Sequence, residues 1–278
     1  MKLKFIFIAV ISSLLSSVLS AEDSFEKSLE QYKNVTSESL LAEREKKQIA
    51  VILKENLDNT FLDGALVAVP GKSYSILKTE VTQEFYEFVM GENPSEFNGE
   101  KNLPVECVSW YDAVVFCNKL SVMDGLVPVY SVSNKTDVSE WDYVPHKGNS
   151  ISKGVECNKY ANGYRLPMLE EWQYAAKGGQ EYEFSGSDNL SDVGWWQYNS
   201  KYKTHPVAQK KPNGYGLYDM SGNVWEWSDG GSNCGGGFKI LYHGDYDEHT
   251  SGCGVNSKRN DVYRSSDVGF RIVRNIDE

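Results

Sequence analysis

The chain has 278 residues, and its 39 acidic against 28 basic residues give a net charge of -11 at pH 7. That balance repels nucleic acid and anionic membrane surfaces, which sets those partners aside. Twenty-four glycines and an aromatic content of 13% describe a loop-rich globular fold, in which glycine permits positive φ and aromatic rings fill an irregular core.

Lys2 and Lys4 precede an apolar run over residues 5–19 that is too short to span a bilayer, and small Ser20 and Ala21 follow, then Glu22 and Asp23. This pattern predicts a cleaved secretory leader at 1–21 and an exported protein, periplasmic, cell-surface or secreted; a buried amino-terminal core helix is the alternative. No cysteine closes the run, so no lipoprotein anchor is expected, and no later stretch has the length of a transmembrane segment. Over 37–57, Leu40, Leu41, Ile49, Ile52 and Leu53 form an apolar stripe among charges. The spacing predicts an amphipathic helix within an extension at 22–58, packed on the domain or on a partner, with a solvated stalk as the alternative.

A domain at 59–278 then opens with strand-like FLDGALVAVPG from Phe61 and SYSILK from Ser73, and Thr82 is placed to cap a helix ending near Met90. In SWYDAVVFCNKL, Ser109 can cap a second helix whose one face carries Ala113, Phe116, Cys117 and Leu120. Residues 126–158 lack any long period and predict a surface excursion with short strands. The five cysteines, Cys107, Cys117, Cys157, Cys234 and Cys253, show no C-x2-C spacing, which argues against a zinc cluster; Cys117 reads as a small core residue. In an oxidising compartment one or two disulfides could form, leaving at least one thiol unpaired.

Three blocks stand apart from composition: ANGYRLPMLEEWQYAAKGG at 161–179, PNGYGLYDMSGNVWEW at 212–227 and GFRIVR at 269–274. With them, residues 61–274 resemble the formylglycine-generating enzyme family, the sulfatase-modifying-factor group. The resemblance implies an α+β, loop-rich variant of the C-type lectin fold, here with the helical amino-terminal extension. The opening strand, the helices near Met90 and Trp110 and the helix of EEWQYAAKG would form its frame. Trp172, Trp225, Trp227 and Phe270 are expected in the core.

Active members of that family hold copper(I) between two cysteines five positions apart and oxidise a cysteine of a sulfatase. In this chain Gly244, Asp245 and Tyr246 occupy the place of the family's Gly-Ser-aromatic triplet and Cys253 falls at the second cysteine, whereas the first is Glu248, a hard carboxylate that suits copper(I) poorly. Tyr242, His243 and Gly244 replace its Arg-Gly-Gly, and Gly254 replaces the following Arg. The comparison implies no copper site and no classical oxidase activity. Cys253 then reads as a buried thiol, with a catalytic role or a disulfide to Cys234 as alternatives. The family's structural calcium would fall on Asn223 and Glu226, against an arrangement in which both simply hydrogen-bond their loop.

Residues 229–267 are dense in Gly, Ser, Asn, Asp, Tyr and His, a composition found in binding loops. The stretch also resembles the variable region of diversity-generating-retroelement proteins, which share this fold. Tyr242, Asp245, Tyr246, Asp247, His249, Ser251, Asn256, Tyr263 and Arg264 are therefore expected to form one exposed face for a protein or carbohydrate ligand, with Tyr246, Tyr263 and Arg264 dominant. The alternative is a loop-rich enzyme surface, belonging to a formylglycine-generating-type oxidoreductase that modifies a cysteine of an exported substrate.

Overall fold

The computed structural model describes residues 51–52, 54–236, 253 and 256–276. The expected leader and most of the 37–57 helix lie outside them, as do Tyr242, Asp245, Tyr246, Asp247, His249 and Ser251. Residues 54–57 are helical and Leu57 is wholly buried, so the last turn assigned to the extension belongs to the core of the domain. Among the described residues no helix is long and apolar enough to cross a membrane.

The β-branched and aromatic run SYSILK pairs on both sides. Strand β1 (Leu66–Ala68) and β2 (Tyr74–Leu77) form a hairpin. Thr82 then caps α1 (Gln83–Met90), its side chain accepting from Phe85 N, and Gly91 closes the helix in the left-handed conformation that glycine takes without strain. Helix α2 (Trp110–Met123) starts at a reciprocal capping box: Ser109 Oγ accepts from Asp112 N and Asp112 accepts from Ser109 N. The expected apolar face is wholly buried, with Ala113, Phe116, Cys117 and Leu120 all at 0% exposure.

The excursion contains β3 (Tyr130–Ser131) and β4 (Glu156–Cys157), paired with each other, and one turn of 3-10 helix (Val138–Glu140) capped by Asp137. Its aromatic residues are not surface residues, since Tyr130, Trp141 and Tyr143 are buried. After β5 (Tyr164–Arg165) come α3 (Leu169–Lys177), the EEWQYAAK helix, and the short α4 (Leu190–Val193).

The remaining strands are β6 (Trp225–Trp227), β7 (Ser232–Cys234), β8 (Asn256–Lys258), β9 (Val268–Phe270) and β10 (Val273–Asn275). Two four-stranded sheets result, in the orders β1-β2-β10-β5 and β8-β7-β6-β9. All pairs are antiparallel except β6 with β9. The chain crosses from one sheet to the other at Arg271 and Ile272, both wholly buried. Gly269 permits this crossing to sit tight, because a Cβ there would lie 2.3 Å from Val105 O. Phe116 stacks on Tyr86 at 5.5 Å and meets Phe270 edge-on at 5.2 Å, which joins both helices to β9.

Candidate functional site

The three sequence blocks meet at one buried ion pair. Arg271 of the GFR block donates from Nε to Glu226 Oε2 and from Nη2 to Glu226 Oε1, both at 2.6 Å, and Trp172 Nε1 donates to Glu226 Oε2 at 2.7 Å. Arg271 also reaches Leu77 O at 3.2 Å and Tyr218 O at 2.9 Å. This guanidinium is planar and bidentate, so it fixes β6, α3 and the sheet crossing relative to one another.

These bonds leave no donor set for calcium. Both carboxylate oxygens of Glu226 are taken by Arg271 and Trp172. Asn223 Oδ1 accepts from His205 N at 3.0 Å, while its Nδ2 donates to Glu80 Oε2 at 2.8 Å and to His205 O at 3.1 Å. The residues present do not fit the ion, and the calcium expectation is replaced by protein-to-protein hydrogen bonds.

Beneath Asn223 lies a carboxylate group that sequence reading missed. Glu80, Asp219 and Glu226 are all buried, with Arg271 as their cation. Burial, and then the charges of Asp219 and Glu226, push the Glu80 carboxyl well above its ordinary range. Burial likewise raises Asp219 to about 6, although Ala208 N donates to its Oδ2 at 2.7 Å. A carboxyl raised in the folded state is ionised there at the expense of stability. Stability is therefore lower above about pH 6 and rises as pH falls through that value toward the unfolded pKa of about 4. Asp219→Asn should accordingly raise unfolding stability at pH 7 by about 3 kcal/mol and flatten its dependence on pH between about 4 and 7. Asparagine suits the site, since residue 219 sits at φ 55° and the amide oxygen can still accept from Ala208. Thermal unfolding across that range checks this, and an unchanged or lower midpoint at pH 7 would contradict it.

The expected recognition stretch is framed by secondary structure. Strands β7 and β8 pair in register, Asn233 with Ser257 and Cys234 with Asn256, so a hydrogen-bonded ladder holds the two ends of the 235–255 segment side by side. Gly235 begins the loop at φ +87°, where a Cβ would lie 3.0 Å from Trp172 Cζ2. On the return, Cys253 is 5% exposed, in the same apolar cluster as Cys234 and Trp172. Its N donates to Glu183 O at 3.2 Å and its Sγ to Ala176 O at 3.5 Å. The five cysteines are free thiols. Burial raises Cys253 to about 11 and Cys234 to about 12, which keeps both protonated and weak as nucleophiles or metal ligands. Cys253 acts as an anchor that ties the loop to α3.

Of the expected ligand residues, Asn256 lies in β8 at the base of the loop. Tyr263 is partly exposed, with the Arg259 guanidinium over its ring at 5.1 Å. Arg264 is different from expectation because its side chain turns inward. Its Nε donates to Asp112 Oδ2 at 2.8 Å and its Nη2 to Tyr143 Oη at 2.9 Å. Asp112, wholly buried, also accepts from Ser109 N and Oγ, from Tyr143 Oη and from His146 N, at 2.7 to 3.0 Å. Burial alone would raise the Asp112 carboxyl, but Arg264, His146 and these donors hold it below the ordinary range. Arg264 therefore pins the segment after β8 onto the start of α2 and onto the excursion. Trp110 N to Asp261 O and Cys107 N to Ser265 O, both 3.0 Å, tie the same segment down. Among the described residues the arrangement is a hydrogen-bonded frame that holds both ends of the 235–255 segment.

Residues 50–276 match the family model of the sulfatase-modifying factor enzyme 1-like domain. The chain is 41% identical to the chaperone protein LppX of Paenibacillus barcinonensis over 174 residues, 55% of this chain and 61% of that protein. It is 34% identical to the formylglycine-generating enzyme of Streptomyces coelicolor over 111 residues, 34% of this chain and 33% of the enzyme. The matches thus span at most about three fifths of the length of these curated relatives. Among solved structures, Treponema denticola variable protein 1 superposes with a TM-score of 0.65 at 32% identity, covering 76% of this chain and 91% of that one.

Proposed function

We propose that this chain, which belongs to the sulfatase-modifying factor enzyme 1-like domain family, is an exported ligand-binding protein that presents residues 229–267 as its recognition surface. Its fold is the formylglycine-generating-enzyme type of the C-type lectin fold, α+β. One observation carries the reading: the segment where the family resemblance expects the copper cysteines is held at both ends by the β7–β8 ladder, and its single cysteine, Cys253, is sunk in the core. The likeness to a variable protein and to a chaperone protein supports binding over catalysis. So does the Tyr-, Ser-, Asp- and Asn-rich composition of the loop. The ligand is a protein or carbohydrate held mainly by Tyr242, Asp245, Tyr246, Asp247, His249 and Ser251, together with Tyr263. Arg264, turned inward onto Asp112 and Tyr143, serves the frame and not the ligand. The lysines and apolar run at the amino terminus support export.

Anaerobic copper(I) titration against a competing chelator, with a sulfatase-motif peptide as substrate, tests the reading. The expected result is no stoichiometric copper binding and no conversion of the peptide cysteine, because Glu248 cannot complete a two-coordinate thiolate site. Tight binding that disappears in Cys253→Ser would overturn the proposal and establish the oxidoreductase instead.

A further inference from the structure

Away from the recognition loop, residues 193–218 contain no Asp or Glu, yet they carry Lys201, Lys203, Lys210 and Lys211 in a chain of net charge -11. Two of these lysines are engaged. Lys211 pairs with Asp192 at 3.0 Å, and Lys210 donates to Ser191 O at 2.7 Å while lying 4.1 Å over the Trp195 ring. Lys201 and Lys203 are exposed and make no ion pair with any described residue. His205 stacks on Trp195 at 3.8 Å, and its imidazole is held neutral first by burial and then by Lys203, Lys210 and Lys201 together. The segment is thus locally positive, a concentration of like charge that an anion would relieve.

The loop that presents them is built to hold its shape. Asn199 accepts from Trp196 N at 2.8 Å and donates to Gly194 O at 3.0 Å, and the His205 ring nitrogen contacts Ser200 O at 2.8 Å. Lys201 and Tyr202 both sit at φ 57°, two successive left-handed residues without glycine. Such a conformation costs stability and persists only where the surroundings impose it, and such strain collects at functional surfaces. At this tip Tyr198 is 74% exposed and Tyr202 59% exposed, and Trp196 meets Tyr198 edge-on at 4.8 Å.

We infer that the loop at 195–210 binds an acidic polysaccharide, with Tyr198 and Tyr202 stacking on sugar faces and Lys201 and Lys203 pairing with the carboxylates. Aromatic faces beside lysines that pair with no described carboxylate suit a hydrated, sparsely charged polymer. Lysine is depleted in the dry centres of protein interfaces, which disfavours a protein partner. Nucleic acid carries one charge per ~1.7 Å of duplex, so the remainder of this acidic chain would repel it far more strongly than a polymer with one carboxylate per sugar.

Affinity electrophoresis of the full chain in gels containing polygalacturonate, neutral dextran or no polymer tests the inference, alongside a single-stranded oligonucleotide and phosphatidylglycerol vesicles in solution. Retardation by polygalacturonate alone, weakening with salt, is expected. It should fall about tenfold or more in Lys201→Glu with Lys203→Glu and in Tyr198→Ala with Tyr202→Ala, at unchanged thermal midpoint. If the charge reversal disturbs folding, Lys201→Gln with Lys203→Gln gives the same reading. No retardation, equal retardation by dextran, indifference to the variants, or binding only to vesicles or oligonucleotide would each overturn it.

Discussion

Trp172→Ala is expected to lower the unfolding free energy by about 3 to 5 kcal/mol, a large share of the stability of an ordinary domain. Trp172 is wholly buried, and Gly235 fits against its ring so closely that even a Cβ would crowd it. Truncation would open a cavity under the base of the recognition loop and remove the indole N–H that Glu226 accepts. Trp172→Phe keeps most of the volume and loses only the donor, so its loss should be clearly smaller. Chemical denaturation of the two variants separates packing from hydrogen bonding. A loss of about 1 kcal/mol or less for the alanine variant would mean that α3 does not carry the core here.

Arg271→Met should be comparably damaging, by about 3 to 5 kcal/mol, since it leaves the Glu226 carboxylate buried without its cation and strips donors from Leu77 O and Tyr218 O. Arg271→Lys is expected to restore little, because an ammonium cannot span both carboxylate oxygens. The informative comparison is the double variant Arg271→Met with Glu226→Leu. Removing both charges should recover part of the loss, giving a coupling that the single variants do not sum to. If the double variant loses the full sum of the singles, the pair is not coupled and the three sequence blocks are held together by packing alone.

Much of the frame was legible from neighbours along the chain. The Ser109 cap, the Thr82 cap and the buried face of α2 depend on residues within one or two helical turns, and each appears where the spacing put it. Aromatic residues of the three blocks were legible for a related reason: Trp172, Trp225, Trp227 and Phe270 are large and apolar, and all are buried. Tyr130, Trp141 and Tyr143 obey the same rule, but the expectation of a surface excursion let weak periodicity outweigh ring size.

Charged and polar side chains were where the sequence stopped. Arg264 and Arg271 are equally polar on paper, and Asn223 with Glu226 offers the oxygen atoms that a hard cation takes. What each does depends on a partner far away in the chain: Arg264 finds Asp112 across 152 residues, Asn223 finds Glu80 across 143, and Glu226 finds Arg271 across 45. Sequence by itself determined the family, through the resemblance carried by the three blocks, and the helix starts and the aromatic core, which are set by local periodicity and side-chain size. Only the tertiary structure decided which charges are buried, since a carboxylate leaves water only where the fold brings it a cation or enough donors, and that meeting is a property of packing and not of any segment.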